Sequence, residues 1–312
     1  MMRFPKKPAA WLVVPFAVLG AQLADPAAAM AAPTRSFAAA KDGLASDTEV
    51  LASANLKVAR STRLFSLVST LLASDREVKT GLDAIKKTCG IDPMNAIDDV
   101  TVGVDSHDKG GIYVGLTGVT EDQLTKCVIS LAKAKSGEVV TSKKIGNEIE
   151  FTKGKSANKL YVAWLANNVL FIASDPEDET LLKKETGGGL AKSQKMSARM
   201  GKTDTDATAF FAWTREQAIQ NVTQHGGTAS IAYAASSFAV KVSVDLGDAN
   251  SAETLAKGAS AALSMIIPRN APKEAQKIAK SVQVKAQGTE VTVALQVAED
   301  DLEKVITWAS KQ

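Results

Sequence analysis

Histidine and cysteine are scarce in this sequence, with two of each among 312 residues. Only His107 and His225 are available as imidazole ligands, which argues against a multi-histidine metal centre. Two cysteines and 21 glycines are too few for a disulfide-dense or collagen-like scaffold. Several catalytic signatures are also missing. There is no Gly-x-Ser-x-Gly, no Gly-x-x-x-x-Gly-Lys and no Cys-x-x-Cys. No long apolar run follows residue 31.

What is present is ordinary globular material. Hydrophobic residues make up 45% and charged residues 23%, enough apolar surface to bury a core and too much for a disordered chain. The length suits one large domain or two ordinary ones.

The first thirty residues read as an export signal. Arg3, Lys6 and Lys7 form a positive segment, an apolar run occupies 9–21, and small residues follow from Ala27 to Ala32. The run is shorter than the ~20 residues that span a bilayer, and Pro15 interrupts it. Cleavage is expected after Ala31, with Ala29 as the alternative; an N-terminal anchor is the competing reading. No cysteine lies in this region, so no lipid-modified cysteine would follow the cut. The removed segment carries three basic residues and one acidic residue, so the formal charge falls from +3 to +1. The mature protein is expected in the periplasm or outside the cell, without a transmembrane span.

A duplicated plan is visible behind the signal. Residues 47–56 read as a strand followed by a helix, and 204–213 repeat the Asp-Thr opening with a helix-like stretch behind. Two hairpins, 100–105 with 111–119 and 228–233 with 238–246, form a second pair of blocks. The third pair is 160–165 with 169–173, turning at Asn167-Asn168, and 282–286 with 291–297, turning at 287–289. Each of these leads into an acidic helix start, at Asp175 to Glu179 and at Glu299 to Asp301. The first half holds an additional hairpin, 139–145 with 148–152, turning at Gly146-Asn147. Thr120 with Gln123 forms a capping-box pattern, and Asn250 with Glu253 suggests an equivalent start.

The fold class that follows is α+β. Two related halves are expected, each a mainly antiparallel sheet of hairpins with helices packed on one face. The boundaries are 1–31 for the signal, 32–190 for the first half and 191–312 for the second. The helix at 193–202 could belong to either half.

Cys89 and Cys127 both fall on apolar helix faces. An even cysteine count in an exported chain favours a Cys89–Cys127 disulfide; two buried free thiols are the alternative. Neither has the basic, exposed context of a reactive thiol.

Ser130 to Lys133, Ser156 to Asn158 and Lys79 to Gly81 match fragments of the penicillin-binding signature in the wrong order, and are set aside. His107 and His225 read as exposed loop residues. The acidic clusters at Asp98-Asp99, 175–179 and 299–301 read as solvated helix starts rather than calcium ligands. Lys133, Lys135, Lys143, Lys144, Lys153, Lys155 and Lys159 face only Glu138, Glu148 and Glu150. They could form a patch for an anionic partner. Edge-strand lysines that prevent sheet association are the preferred reading. Phe151 and Tyr161 are the only aromatics nearby, which disfavours nucleic acid.

In Cys89-Gly90-Ile91-Asp92-Pro93, in Ile97-Asp98-Asp99-Val100-Thr101-Val102 and in its paired blocks, the chain resembles bacterial exported proteins with a tandem α+β plan, whose role is uncharacterised. That resemblance implies no activity, catalytic residue, metal or cofactor. The leading expectation is a non-enzymatic envelope or secreted protein that binds a partner through a sheet face or the groove between halves. A carrier of a hydrophobic ligand or lipid and a hydrolase with a concealed site are the alternatives.

Overall fold

The computed structural model describes residues 33–137, 139–154, 159–219, 222–266 and 271–309. The signal region, with Ala29 and Ala31, lies outside them, as do Lys155 and 156–158. The chain divides into a first unit, Ala32–Ala198, and a second, Arg199–Gln312.

The first unit opens with α1 (Arg35–Gly43), β1 (Val50–Asn55), α2 (Leu56–Ala59), α3 (Arg63–Ser74), α4 (Arg76–Cys89) and α5 (Pro93–Ala96). The hairpin β2 (Ile97–Val104) and β3 (Gly110–Leu116) follows, then α6 (Glu121–Ser136). The strands β4 (Val140–Ile145), β5 (Glu148–Lys153), β6 (Lys159–Leu165) and β7 (Val169–Ala173) precede α7 (Glu179–Thr186). Their order across the sheet is β1-β2-β3-β7-β6-β5-β4, and all these pairings are antiparallel. A short helix, α8 (Gln194–Met200), crosses the division between the units.

The second unit contains β8 (Ala209–Trp213), β9 (Gln217–Ile219), β10 (Val222–Gln224), β11 (Gly227–Ala234), β12 (Ser237–Asp245), α9 (Ala249–Ile266), α10 (Lys273–Ser281), β13 (Gln283–Gln287), β14 (Glu290–Ala298) and α11 (Glu299–Ala309). Its main strands run β13-β14-β12-β11-β8, again antiparallel, and β9 and β10 form a separate ribbon. The chain is thus α+β with antiparallel sheets.

The turns follow from residue type. Asn167 and Asn168 take φ of 60° and 57°, a left-handed conformation asparagine tolerates, and close β6–β7. The Thr120 side chain accepts from the Gln123 N–H while the Gln123 side chain reaches back, so the capping box forms as expected. In α9 the cap is Asp248, whose carboxylate accepts the N–H groups of Asn250 and Ser251; Asn250 lies inside the helix. Behind Trp213 the chain forms β9 and β10 instead of the expected helix. The β-branched Val222 and Thr223 suit a strand better.

In the first unit helices occupy both faces of the sheet rather than one. Leu44, at the end of α1, covers Gly103, and Tyr113 of β3 donates to the Glu185 carbonyl of α7. Val128, Ile129 and Ala132 of α6 pack on Ile149 and Phe151 from the opposite side. Small residues make the first approach possible. A Cβ added at Gly103 would overlap the Leu44 side chain, and one at Gly43 the Tyr113 hydroxyl. In the second unit α9 lays Ala252 and Ala256 against Val291, Val284 and Ala286. Among the described residues no helix is long and apolar enough to cross a membrane.

Candidate functional site

Strand register assembles an apolar row across the first sheet. Ala52, Val102, Ile112, Ile172, Val162 and Ile149 are successive cross-strand partners from β1 to β5. Residues directly opposite in antiparallel strands share a face, so these six side chains form one stripe. At the β5 end α6 covers the stripe, and Ile149 is 2% exposed. In the middle of the sheet Ile112 is 41% exposed, although β3 is bonded along both edges.

The other face of β2 inverts the usual pattern. Asp99 and Thr101 are buried beneath α1, while Val100, Val102 and Val104 are only partly covered. The Ser36 N–H, in the first turn of α1, donates to Asp99 Oδ1 at 2.6 Å. Arg35 and Arg60 each approach Asp98 at 2.9 Å, and Arg60 also donates to the carbonyls of Met94 and Ile97. The hydroxyls of Ser36 and Ser53 both meet that of Thr101 at 2.9 Å. Asp98 and Asp99 are therefore strand residues that bind two arginines and the start of α1. The expectation of a solvated helix start is corrected. Strand position and the arginines 63 and 38 residues upstream decide their environment, and neither is visible locally. Every partner here is satisfied inside the protein, which makes the cluster a fastening rather than a reaction centre.

A second cluster, with Asp105 and Glu185 buried and Lys184 and Asp47 reaching solvent, was also missed. Lys184 of α7 lies 2.9 Å from Asp47, 3.4 Å from Asp105 and 3.8 Å from Glu185. Burial works against the Asp105 charge, but the N–H groups of His107 and Lys109, with Lys184, hold its carboxyl below the ordinary range. Glu185 is 1% exposed, and its Oε2 has no hydrogen-bond partner. Burial pushes its carboxyl above the ordinary range; Lys184 and the Ala45 N–H oppose this, while Asp47 and Asp105 reinforce it. A substrate has no access to so enclosed a group, so it is a poor general acid or base.

Glu185 should therefore shape stability rather than chemistry. Its folded pKa is raised, so the native state holds its proton more tightly than the unfolded chain does. The resulting stability is complete below the ordinary value of 4.5 and is lost as pH rises through the raised pKa. Asp105, Asp245 and Glu290 are shifted downward and act at lower pH. Urea unfolding of the wild type should lose stability as pH rises above about 4.5, and Glu185→Gln should remove that slope. Equal slopes in both proteins would refute the assignment.

The described lysines lie on α6 and on the adjacent strands β4, β5 and β6 at one edge of the sheet. Lys133 is exposed on α6, Lys143 and Lys144 lie in β4, Lys153 ends β5 and Lys159 begins β6. Lys135 falls on α6, with its side chain outside the described set, and Lys155 is likewise outside. Lys144 pairs with Glu121 at 2.7 Å and Lys159 with Glu150 at 2.9 Å, while Lys143 sits opposite Glu150. Beside this edge lies an open depression of about 350 Å³, lined by Glu121, Asp122, Thr125, Ser142, Lys144 and Ile149. Its walls are mixed, polar groups alternating with the apolar stems and Ile149.

Cys89 and Cys127 form a disulfide that ties α4 to α6. His107 lies in the β2–β3 turn beside Ser106, and His225 meets Glu216 at 3.1 Å. In the second unit Arg199 holds Asp245 at 2.6 Å and Glu290 at 3.4 Å, where Lys202 also pairs. Among the described residues no group of three or more His, Cys, Asp or Glu side chains is arranged to hold a metal.

No protein-family model matches the chain. No curated protein matches it. Among solved structures it is similar to the protein TP0453. Crystal form III has a TM-score of 0.45 at 13% identity and covers 85% of this chain and 97% of that one. Crystal form IV has a TM-score of 0.46 at 10% identity, with coverage of 88% and 99%. Crystal form I has a TM-score of 0.44 at 10% identity, with coverage of 88% and 97%.

Proposed function

We propose that this chain is an exported, non-enzymatic protein of the cell envelope or its surroundings that binds an apolar segment of a partner protein. The contact surface is the open part of the apolar row on the first sheet. One observation carries the reading: Ile112 is 41% exposed in a strand bonded on both sides, flanked by Val102 and Ile172. Such a side chain is normally covered, and its exposure beside the partly covered Val102 and Ile172 supports an interaction site there. The order of charges, apolar run and small residues before Ala32 supports export, as does the disulfide. A carrier of a hydrophobic ligand would need an enclosed apolar cavity, and the depression beside α6 is open.

Site-specific photo-crosslinking in the native host tests this. A photoreactive residue at position 112 should capture a discrete partner, and one at the exposed Lys41 of α1 should not. In the native host this chain should begin at Ala32. No adduct at 112, or equal capture at both positions, would overturn the binding surface; an intact Met1 would overturn export.

A further inference from the structure

We infer that β4 is a self-complementary edge through which two copies of this chain join into a symmetric dimer. This surface is separate from the apolar row and does not depend on the reading above. β4 ends the strand order, and every residue from Thr141 to Ile145 is exposed. Exposed apolar side chains flank it on both ends, Val139 at 68% and Ile145 at 45%.

The ladder phase fixes which backbone groups are free to pair. The Gly154 N–H donates to the Val139 carbonyl at 2.8 Å, and Thr141, Lys143 and Ile145 lie opposite Thr152, Glu150 and Glu148. Antiparallel ladders alternate between bonded and non-bonded pairs. Thr141, Lys143 and Ile145 therefore bond inward to β5. Val140, Ser142 and Lys144 turn their N–H and carbonyl groups outward.

A twofold axis at Ser142 brings those outward groups together. Ser142 meets Ser142 of the second copy, and Val140 meets Lys144, giving about six main-chain hydrogen bonds. The side chains agree with the same register. Val139 falls opposite Ile145 twice, once on each side of the axis. Thr141 falls opposite Lys143, so no two lysines are directly opposed. Lys144 already has Glu121, and Lys143 has Glu150 across its own hairpin. These carboxylates make an acidic peptide a less suitable occupant than a second copy. Lysine on an edge ordinarily discourages pairing. Here the self-register places each lysine beside an uncharged residue.

A single strand pair is a small interface, so association should be weak, with a dissociation constant on the order of 100 μM. Sedimentation equilibrium of the purified, disulfide-bonded protein should show a reversible monomer–dimer equilibrium. Ser142→Pro removes one outward N–H without touching the β4–β5 ladder, and should weaken the dimer at least about tenfold. Ser142→Cys should form a disulfide-linked dimer on mild oxidation. Thr141→Cys should not, because its symmetry mate lies two residues out of register. A monomer at all concentrations, a dimer that survives Ser142→Pro, or equal crosslinking of the two cysteine variants would overturn the proposal.

Discussion

Replacing Cys89 and Cys127 together by serine should cost about 4 kcal/mol of unfolding free energy. The cysteines are 38 residues apart in sequence, and closing a loop of that size removes substantial entropy from the unfolded chain. The native side of the argument points the same way. On α4 the side chains of Leu82, Ile85 and Cys89 are partly buried, while Val78, Lys79, Asp83, Lys86 and Lys87 are exposed. So thin an apolar contact does little to hold α4 on α6 without the covalent tie. Urea unfolding of the double variant should show the loss, and amide exchange should rise first in α4. A loss below about 1 kcal/mol would mean that packing alone secures this helix.

Asp99→Ala should cost about 3–5 kcal/mol. The substitution leaves the buried Ser36 N–H without its acceptor and takes a carboxylate from beside Arg35, which lies 3.9 Å away. It also opens space beneath α1. Removing one partner of a buried charged contact is costly because the remaining group stays buried and uncompensated. Asp99→Asn keeps the shape and an acceptor oxygen, so it should cost roughly half as much. Denaturant titration of the two variants separates charge from packing. An alanine variant within about 1 kcal/mol of wild type would show that α1 is held by Phe37, Ala40 and Leu44 alone.

The sequence revealed the hairpins more readily than the helices' surroundings. Asn167-Asn168, Gly146-Asn147 and the 106–110 turn carry residues that tolerate tight backbone geometry, so each hairpin could be placed from a few neighbours. The Thr120 cap and the cysteine pair were local or countable as well. Asp98 and Asp99 were misread because acidic residues before an apolar run suit a helix start, and their arginine partners are remote in sequence. Ile112 raised no signal because an isoleucine in a strand looks like core. Glu185 was hidden for a similar reason. On α7 it reads as a surface glutamate, and only the approach of α1 and β3 encloses it.

The docking of α1 has a consequence for the order of assembly. Its first turn is held by Asp99, while the Gly43 and Leu44 carbonyls accept from the N–H groups of Gly188 and Leu190. The earliest helix of the described chain thus waits for residues synthesised almost 150 positions later. Only β2 and β3 can receive Phe37, Ala40 and Leu44 before then, and contacts as distant in sequence as those to 188–190 form slowly. The contacts at the end of α1 are therefore completed only once residues 188–190 are in place, which makes that end the last part of the helix to be secured.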